Sequence, residues 1–275
     1  MEKLFMIISN PDRDPEGLFL KRVKDFFDGK SLEYVVHDIK TEEAKGFTVP
    51  ENTEAAVVLG GDGTLMRSAD LVKDSGIPIL GINTGSVGYL TGAETGNLEE
   101  ALRKLTAGDY RIEKRMMMDV SVNGEKAETV LNDAVVTRNG YSRIIRLKIK
   151  VNGTEILTVG GDGIIVSTPT GSTGYNLSAG GSICVPEAEM LIVTPICPHS
   201  MTARSVIASA NDEITIEVPS ERYYETPDLG MTLDGKAFVP LKSGDRIAIR
   251  RSADITKLIK TDEGTFFEAL KKKLS

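Results

Sequence analysis

Ala55-Ala56-Val57-Val58-Leu59-Gly60-Gly61-Asp62-Gly63-Thr64 is an apolar run that stops on a cluster of glycines. The unbroken apolar stretch predicts a strand buried on both faces, over about 54–59. Residues 64–75 carry Leu65, Ala69 and Val72 at helical spacing and end before Gly76, a C-terminal stop. In a parallel sheet the turn between such a strand and helix lies at the carboxyl end of the strand, where ligands bind. Glycines there let backbone N–H groups approach a polyanion with no side chain between them. The free N–H groups of the following helix favour a phosphate. The one carboxylate among them, Asp62, is placed to take a proton from an attacking hydroxyl. A plain helix cap asks for one Asp or Thr and not for three glycines around it.

The same alternation extends outward. Residues 4–9 predict a strand. Residues 18–27, with Leu20, Val23 and Phe27 apolar and Gly29 as a stop, predict a helix, and 77–82 another buried strand. Asn97-Leu98-Glu99-Glu100 resembles a capping box opening a helix that ends near Gly108. The expectation is an α/β domain with a mostly parallel sheet over residues 1–107. Beyond that the pattern changes. Asn123-Gly124 and Asn152-Gly153 suit tight hairpin turns, with the asparagine side chains serving those turns. Arg146, Lys148 and Lys150 alternate with Leu147, Ile149 and Val151, a half-buried strand with a solvated basic face. Further strands are expected near 190–194, 213–218, 231–233 and 246–250, which makes 108–255 an all-β domain. Residues 262–274 are helical again, with Phe266, Phe267, Leu270 and Leu274 apolar. This last segment, 256–275, is expected to return to the first domain.

A net charge of −7 over 275 residues argues against a broad nucleic-acid surface and against a polybasic membrane contact. Anionic small ligands then need local N–H groups or cations. Two cysteines, Cys184 and Cys197, make no disulfide framework, so a reducing cytoplasm is the simpler setting. The run Leu4-Phe5-Met6-Ile7-Ile8 is too short for a signal core or a membrane span. Cys197 and His199 lack a second Cys/His pair at zinc spacing, so no protein metal centre is expected. Neither Gly-x-Gly-x-x-Gly after a strand nor Gly-x-x-x-x-Gly-Lys-Ser/Thr is present, which speaks against a Rossmann dehydrogenase and a P-loop ATPase.

Gly-Gly-Asp-Gly recurs at 160–163 and leads into Ser167-Thr168-Pro169-Thr170-Gly171-Ser172-Thr173-Gly174-Tyr175. Its flanks differ from those of the first copy, so no duplicated domain is implied. Taken alone, Asp162 suits a turn, Asn132-Asp133 a polar break in a strand, and 173–178 an ordinary Ser/Thr/Gly loop. Taken together, these segments resemble the NAD kinase family. Gly60-Gly61-Asp62-Gly63-Thr64 is similar to its signature, which diacylglycerol kinases, sphingosine kinases and 6-phosphofructokinases share more loosely. Asn132-Asp133 matches the family's Asn-Glu/Asp pair. Gly161-Asp162-Gly163 through Tyr175, with Ser178-Ala179-Gly180-Gly181, matches its long loop. Thr194-Pro195-Ile196-Cys197-Pro198-His199-Ser200 and Asp234-Gly235 match two further blocks. The resemblance covers about 55–236. It departs at Gly174, where alanine is usual, and at Lys236, where glutamine is common.

The resemblance implies phosphorylation of NAD by ATP, or by polyphosphate, to give NADP, in a crevice between the two domains. Asp62 would deprotonate the 2′-hydroxyl of the adenosine ribose, and backbone N–H groups at Gly61 and Gly63 would cradle phosphates. Asn132 and Asp133 would hold the adenosine part, and Asp162 would lie in the same pocket without accepting the proton. Thr173, Gly174, Tyr175, Asn176 and Ser178 would line the adenine and ribose site, with Tyr175 against a ring. Arg143 is a candidate phosphate contact and Lys236 a candidate phosphate or ribose contact. Mg²⁺ would bridge the donor's phosphates with no all-protein cage. Family members are commonly homodimers or homotetramers, and the same is expected here.

Overall fold

The computed structural model describes residues 3–39, 47–85, 88–139, 144–219, 229–236, 238–262 and 264–274. Arg143, a candidate phosphate contact, lies outside them. Contacts divide the chain into two compact units, Met1–Arg115 with Ile255–Ser275, and Met116–Asp254. The boundaries expected from the sequence pattern fall at 107/108 and 255/256.

The first unit is α/β. Its strands β1 (Leu4–Ser9), β2 (Glu33–Asp38), β3 (Thr53–Leu59) and β4 (Ile79–Asn83) form a parallel sheet in the order β2-β1-β3-β4. The short strand β5 (Ala93–Glu94) adds to β4 in parallel, and Leu258 pairs with Ile79. Helices α1 (Leu18–Gly29), α2 (Asp62–Val72) and α3 (Leu98–Ala107) connect them. Alternate strand residues Phe5, Ile7, Val57, Leu59, Leu80 and Ile82 pack with Val23 and Phe27 of α1 and Leu98, Leu102 and Leu105 of α3. The Phe5 and Phe27 rings stack at 5.1 Å. Burying β1, β3 and β4 on both faces is what made them legible as unbroken apolar runs. Strand β2 was not foreseen. It is an edge strand, exposed at Glu33, Val36 and Asp38, and carries no such run.

The expected capping box at α3 does not form. Asn97 makes no side-chain cap, and Glu100, the acid at the box position, accepts from Arg103 Nε at 3.0 Å instead. Its neighbour Glu99 takes both arms of Arg22 on α1, at 2.9 and 2.8 Å. That bidentate pair ties α1 to α3 and holds the Glu99 carboxyl below its usual range, chiefly through the Arg22 hydrogen bond.

The second unit is built of antiparallel strands: β6 (Arg111–Val122, from Met116 onward), β7 (Glu125–Val130), β8 (Asp133–Arg138), β9 (Ile145–Val151), β10 (Thr154–Gly161) and β11 (Gly163–Ser167). The one-turn helix α4 (Tyr175–Ser178) precedes β12 (Met190–Ile196), β13 (Val206–Ser209), β14 (Ile214–Glu217), β15 (Leu229–Leu233), β16 (Val239–Pro240) and β17 (Arg246–Lys260, up to Asp254). One sheet runs β13-β12-β11-β8-β15-β16. The other runs β10-β9-β14-β17, with β6 on β17 and β7 on β6. Val136, Ile164 and Val193 of the first sheet share one core with Leu147, Ile149, Ile216 and Ile247 of the second.

Asn123 (φ 53) and Asn152 (φ 50) turn their hairpins in the left-handed region. The expectation that their side chains serve those turns does not hold. Asn123 accepts from the Arg246 N–H at 2.9 Å and Asn152 from the Glu213 N–H at 2.9 Å, each clipping a neighbouring strand. The last helix, α5 (Phe266–Leu274), belongs to the first unit. There Phe266 packs on Tyr89 at 5.9 Å, while Phe267 and Leu274 are largely exposed.

Candidate functional site

Helix α2 begins at Asp62, two residues earlier than the apolar spacing suggested, so Asp62 opens a helix instead of sitting in the turn. The Gly61 carbonyl accepts the N–H groups of Thr64 and Leu65, both at 3.0 Å. The three glycines do different work. A Cβ on Gly60 would lie 2.5 Å from the Thr64 side chain, which folds back to accept from Asn10 Nδ2 at 2.9 Å. A Cβ on Gly61 or Gly63 would meet nothing within 4 Å. Packing does not require those two glycines; their effect is to leave the N-terminus of α2 bare.

Asp62 does not cap its own helix. Its Oδ2 accepts the Tyr89 N–H at 2.9 Å and its Oδ1 the Leu90 N–H at 3.0 Å. A Cβ on Gly88 would fall 2.3 Å from Asp62 Oδ1, so only glycine lets this loop close on the carboxylate. Lys273 of α5 faces Oδ2 at 3.5 Å and stands 4.1 Å over the Tyr89 ring. Behind the loop, the buried Lys260 ammonium donates to the carbonyls of Thr91 at 2.7 Å and Leu90 at 3.2 Å. Burial, more than any neighbouring charge, pulls its pKa down to about 8. Gly88, Tyr89, Leu90 and Lys273 were not among the site residues read from sequence. Tyr89 and Leu90 hold Asp62 through backbone N–H groups, which leave no side-chain signature.

The second Gly-Gly-Asp-Gly is built otherwise. It lies between two antiparallel strands, β10 and β11, where neighbouring backbone demands the glycines. A Cβ on Gly161 would come 2.8 Å from the Ile196 carbonyl, and one on Gly163 2.4 Å from that of Val136. Asp162 pairs with Arg138 Nε of β8 at 2.9 Å.

Asp133 opens β8 and is buried. Facing it from the turn after β15 is Asp234, whose φ of 50 aims its carboxylate back at the chain. Asp234 accepts the N–H groups of Leu131 and Asn132, each at 2.7 Å, and of Asp133 at 3.1 Å. Burial raises the pKa of both acids. Asp133 is pushed up to about 7, by burial first and by the charge of Asp234 second. For Asp234 burial is opposed by the three N–H groups and by Lys236. Asp234 is therefore the better-supported anion, and Asp133 the natural holder of a proton. Lys236 lies 3.4 Å from Glu128 and offsets the Asp234 charge, so part of its charge is spent within the protein.

The loop after β11 wraps onto this pair. Thr168 Oγ1 donates to the Leu131 carbonyl, and a Cβ on Gly171 would lie 2.2 Å from the Asn132 carbonyl, so glycine is required there. A Cβ on Gly174 would stand 3.2 Å from the Gly171 carbonyl, 3.6 Å from Asn132 Nδ2 and 3.8 Å from Asp133 Oδ2. A methyl fits with a few tenths of an ångström of adjustment. Asn176 is fully buried. Its amide donates to the carbonyls of Ser172 and Ser182, at 3.1 and 3.0 Å, and accepts from Thr194 Oγ1 at 2.6 Å. It fastens the loop and offers no free polar group. Tyr175 and Ser178 point outward, and Thr173 is half-buried.

Residues 18–110 match a family profile described as the ATP-NAD kinase N-terminal domain, and residues 131–261 one described as the ATP-NAD kinase C-terminal domain. An NAD kinase of Lachnoclostridium phytofermentans is 40% identical, over 98% of this chain and 98% of its own. One of Geobacter metallireducens is 44% identical, over 82% and 80%. Among solved structures, an NAD kinase of Archaeoglobus fulgidus in complex with ATP aligns with a TM-score of 0.79 at 27% identity, covering 98% of each chain. Yeast NADH kinase complexed with NADH aligns with a TM-score of 0.83 over 99% of this chain and 87% of that one; at 21% identity this likeness speaks to the fold. Both profiles match in order and near-full-length relatives share 40% of their residues, so the chain belongs to the NAD kinase family.

Proposed function

We propose that the protein transfers the terminal phosphoryl group of ATP to the 2′-hydroxyl of the adenosine ribose of NAD, giving NADP and ADP. The observation that carries this is a single carboxylate, Asp62, held by two backbone N–H groups at the bare N-terminus of α2. Phosphoryl transfer asks little covalent chemistry of a protein and much alignment. Backbone N–H groups at Gly61 and Gly63 cradle the donor's phosphates. Asp62 accepts the hydroxyl proton as the ribose oxygen attacks phosphorus and the bond to ADP breaks. An ammonium and backbone N–H groups around Asp62 suit an anion better than a bare cation. Magnesium therefore arrives as part of the donor, Mg·ATP, held by its phosphates. Among the described residues no group of three or more His, Cys, Asp or Glu is placed to hold a metal.

On the dinucleotide side, Asn132 and Asp133 hold the adenosine, Tyr175 packs on a ring, Thr173, Gly174 and Ser178 line the adenine and ribose, and Asn176 keeps that loop in shape. Asp162 with Arg138 borders the same pocket. Lys236 acts first through Asp234 and contacts ligand second. Supporting NAD and ATP as ligands are the relatives, themselves NAD kinases, and the ATP complex of the Archaeoglobus protein.

The test measures initial rates of ADP release at saturating ATP with NAD and with adenosine as acceptors, beside a coupled assay for NADP formation from NAD with ATP or polyphosphate as donor. NAD is expected to turn over far faster. Binding energy from the remote half of the dinucleotide aligns the reacting ribose, so a truncated acceptor loses turnover as well as affinity. Comparable kinetics for both acceptors would remove the NAD-specific reading.

We further propose a cytoplasmic homodimer or homotetramer. Both cysteines are free. The edge strands β13 and β16 carry exposed Ile207 and Val239, edges that a soluble protein must cover or charge. No helix among the described residues is long and apolar enough to cross a membrane. Light scattering at micromolar concentration is expected to give a multiple of the 29.7 kDa chain mass; a monomeric mass contradicts the oligomer.

A further inference from the structure

We infer that Lys273 is a catalytic residue of the phosphoryl transfer, its ammonium passing from the Asp62 carboxylate to the transferring phosphoryl group when the donor binds.

The geometry that assigns this role is local to the first unit. Lys273 Nζ lies 3.5 Å from Asp62 Oδ2, close enough for attraction and too long for a strong hydrogen bond. Both carboxylate oxygens already accept backbone N–H groups, so the ammonium is not needed to satisfy them. It rests on the face of Tyr89, 4.1 Å from the ring centroid. Tyr89 in turn is backed by Phe266. Phe266 and Lys273 are seven residues apart, two turns of α5, and so share one helix face. That face delivers a cation to the bare N-terminus of α2, while Phe267 and Leu274 point elsewhere and stay exposed. The Lys273 side chain is 31% exposed, so its head is free to swing.

The chemistry at that point needs such a cation, resting on the kinase activity proposed above. A donor bound at the glycine loop brings several negative charges close to Asp62, in a chain whose net charge is −7. In the transfer, the ribose oxygen forms a bond to the terminal phosphorus. The bond from that phosphorus to the ADP oxygen breaks, with its electron pair leaving on ADP, and the hydroxyl proton goes to Asp62. Lys273 stays protonated throughout. On the phosphoryl oxygens it offsets charge and separates the phosphates from the carboxylate. Leaving Asp62, it also frees that oxygen to receive the proton.

The test compares wild type with Lys273→Met, Lys273→Arg and Lys272→Met in the NADP-forming assay, with thermal melting of each. Lys273→Met is expected to lower kcat about 10- to 100-fold, the worth of one charge-assisted hydrogen bond, with the KM for NAD nearly unchanged. Lys273→Arg keeps the charge and should recover most of the loss. Lys272→Met, which removes an adjacent lysine of the same helical turn, should match wild type. Turnover of Lys273→Met equal to wild type would overturn the role. Faster turnover would overturn it too, and would make Lys273 a restraint on Asp62. Equal losses in the Arg and Met variants would mean that the charge is not what matters. A wild type that forms no NADP would instead refute the kinase reading itself, an outcome distinct from all of these.

Discussion

Asp62→Asn is expected to lower kcat for NADP formation about 10²–10⁴-fold, the usual cost of removing a general base. The amide has the same shape and cannot accept the 2′-hydroxyl proton. It also carries a local cost. The carboxylate accepts from Tyr89 and Leu90 through separate oxygens, whereas an amide turns an NH₂ toward one of those N–H groups. One hydrogen bond is lost, at about 1–3 kcal/mol, so the melting temperature should fall modestly while the fold persists. NAD affinity should be almost unchanged, because Asn132, Asp133 and the 173–178 loop are untouched. The measurement is kcat beside an NAD titration and a melting curve. A folded Asp62→Asn protein with near-wild-type turnover would show that the proton goes elsewhere.

The residues of this centre were unevenly legible in the sequence. The strand, glycine turn and helix around Asp62 could be read because each is set by local backbone preference and by burial of β3 on both faces. The loop that holds Asp62 could not. Tyr89 and Leu90 act through N–H groups, which every residue but proline carries, and Lys273 comes from a helix distant in sequence. The twin tetrapeptides show the same limit from the other side. Gly61 and Gly63 leave a helix end bare, whereas the second Gly161 and Gly163 are forced by the carbonyls of Ile196 and Val136. Identical residues serve opposite ends because the neighbouring strands differ. Asn176 likewise resembled a ligand contact in the motif, yet its partners Ser172, Ser182 and Thr194 take up the whole amide. Motif resemblance located the loop, and only packing separated the side chain that fastens it from those that face outward.

Asp133→Asn should act in opposite directions on stability and on ligand binding. Burial, with the charge of Asp234 second, pushes the Asp133 carboxyl up to about 7 from the ordinary 3.8. Between those values the folded state holds a proton that the unfolded state has released. Stability from this site is therefore present at the acid end, declines as pH rises from about 4 to 7, and is gone above. Asparagine carries no charge to bury. At pH 8 the variant should be more stable than wild type by about 2–4 kcal/mol, and the difference should close toward pH 4. Asp234→Asn should do the reverse at pH 8, because it weakens the acceptor of three backbone N–H groups. Binding runs the other way. A charged acceptor for ribose hydroxyls is worth roughly 1 kcal/mol more than a neutral one, so Asp133→Asn should bind NAD about 5- to 10-fold more weakly at pH 8. Wild-type affinity should rise with pH through about 7 as the carboxylate forms, and that of the variant should stay flat. Melting curves and NAD titrations at pH 5, 7 and 8 read both effects. A variant that melts below wild type at pH 8 would place the shared proton on Asp234. Unchanged affinity at every pH would take Asp133 out of the dinucleotide site. The two together would leave this buried acid pair a matter of folding alone, whereas the expected crossing of stability and affinity would mean that Asp133 is kept, at a cost to the fold, for the ligand it receives.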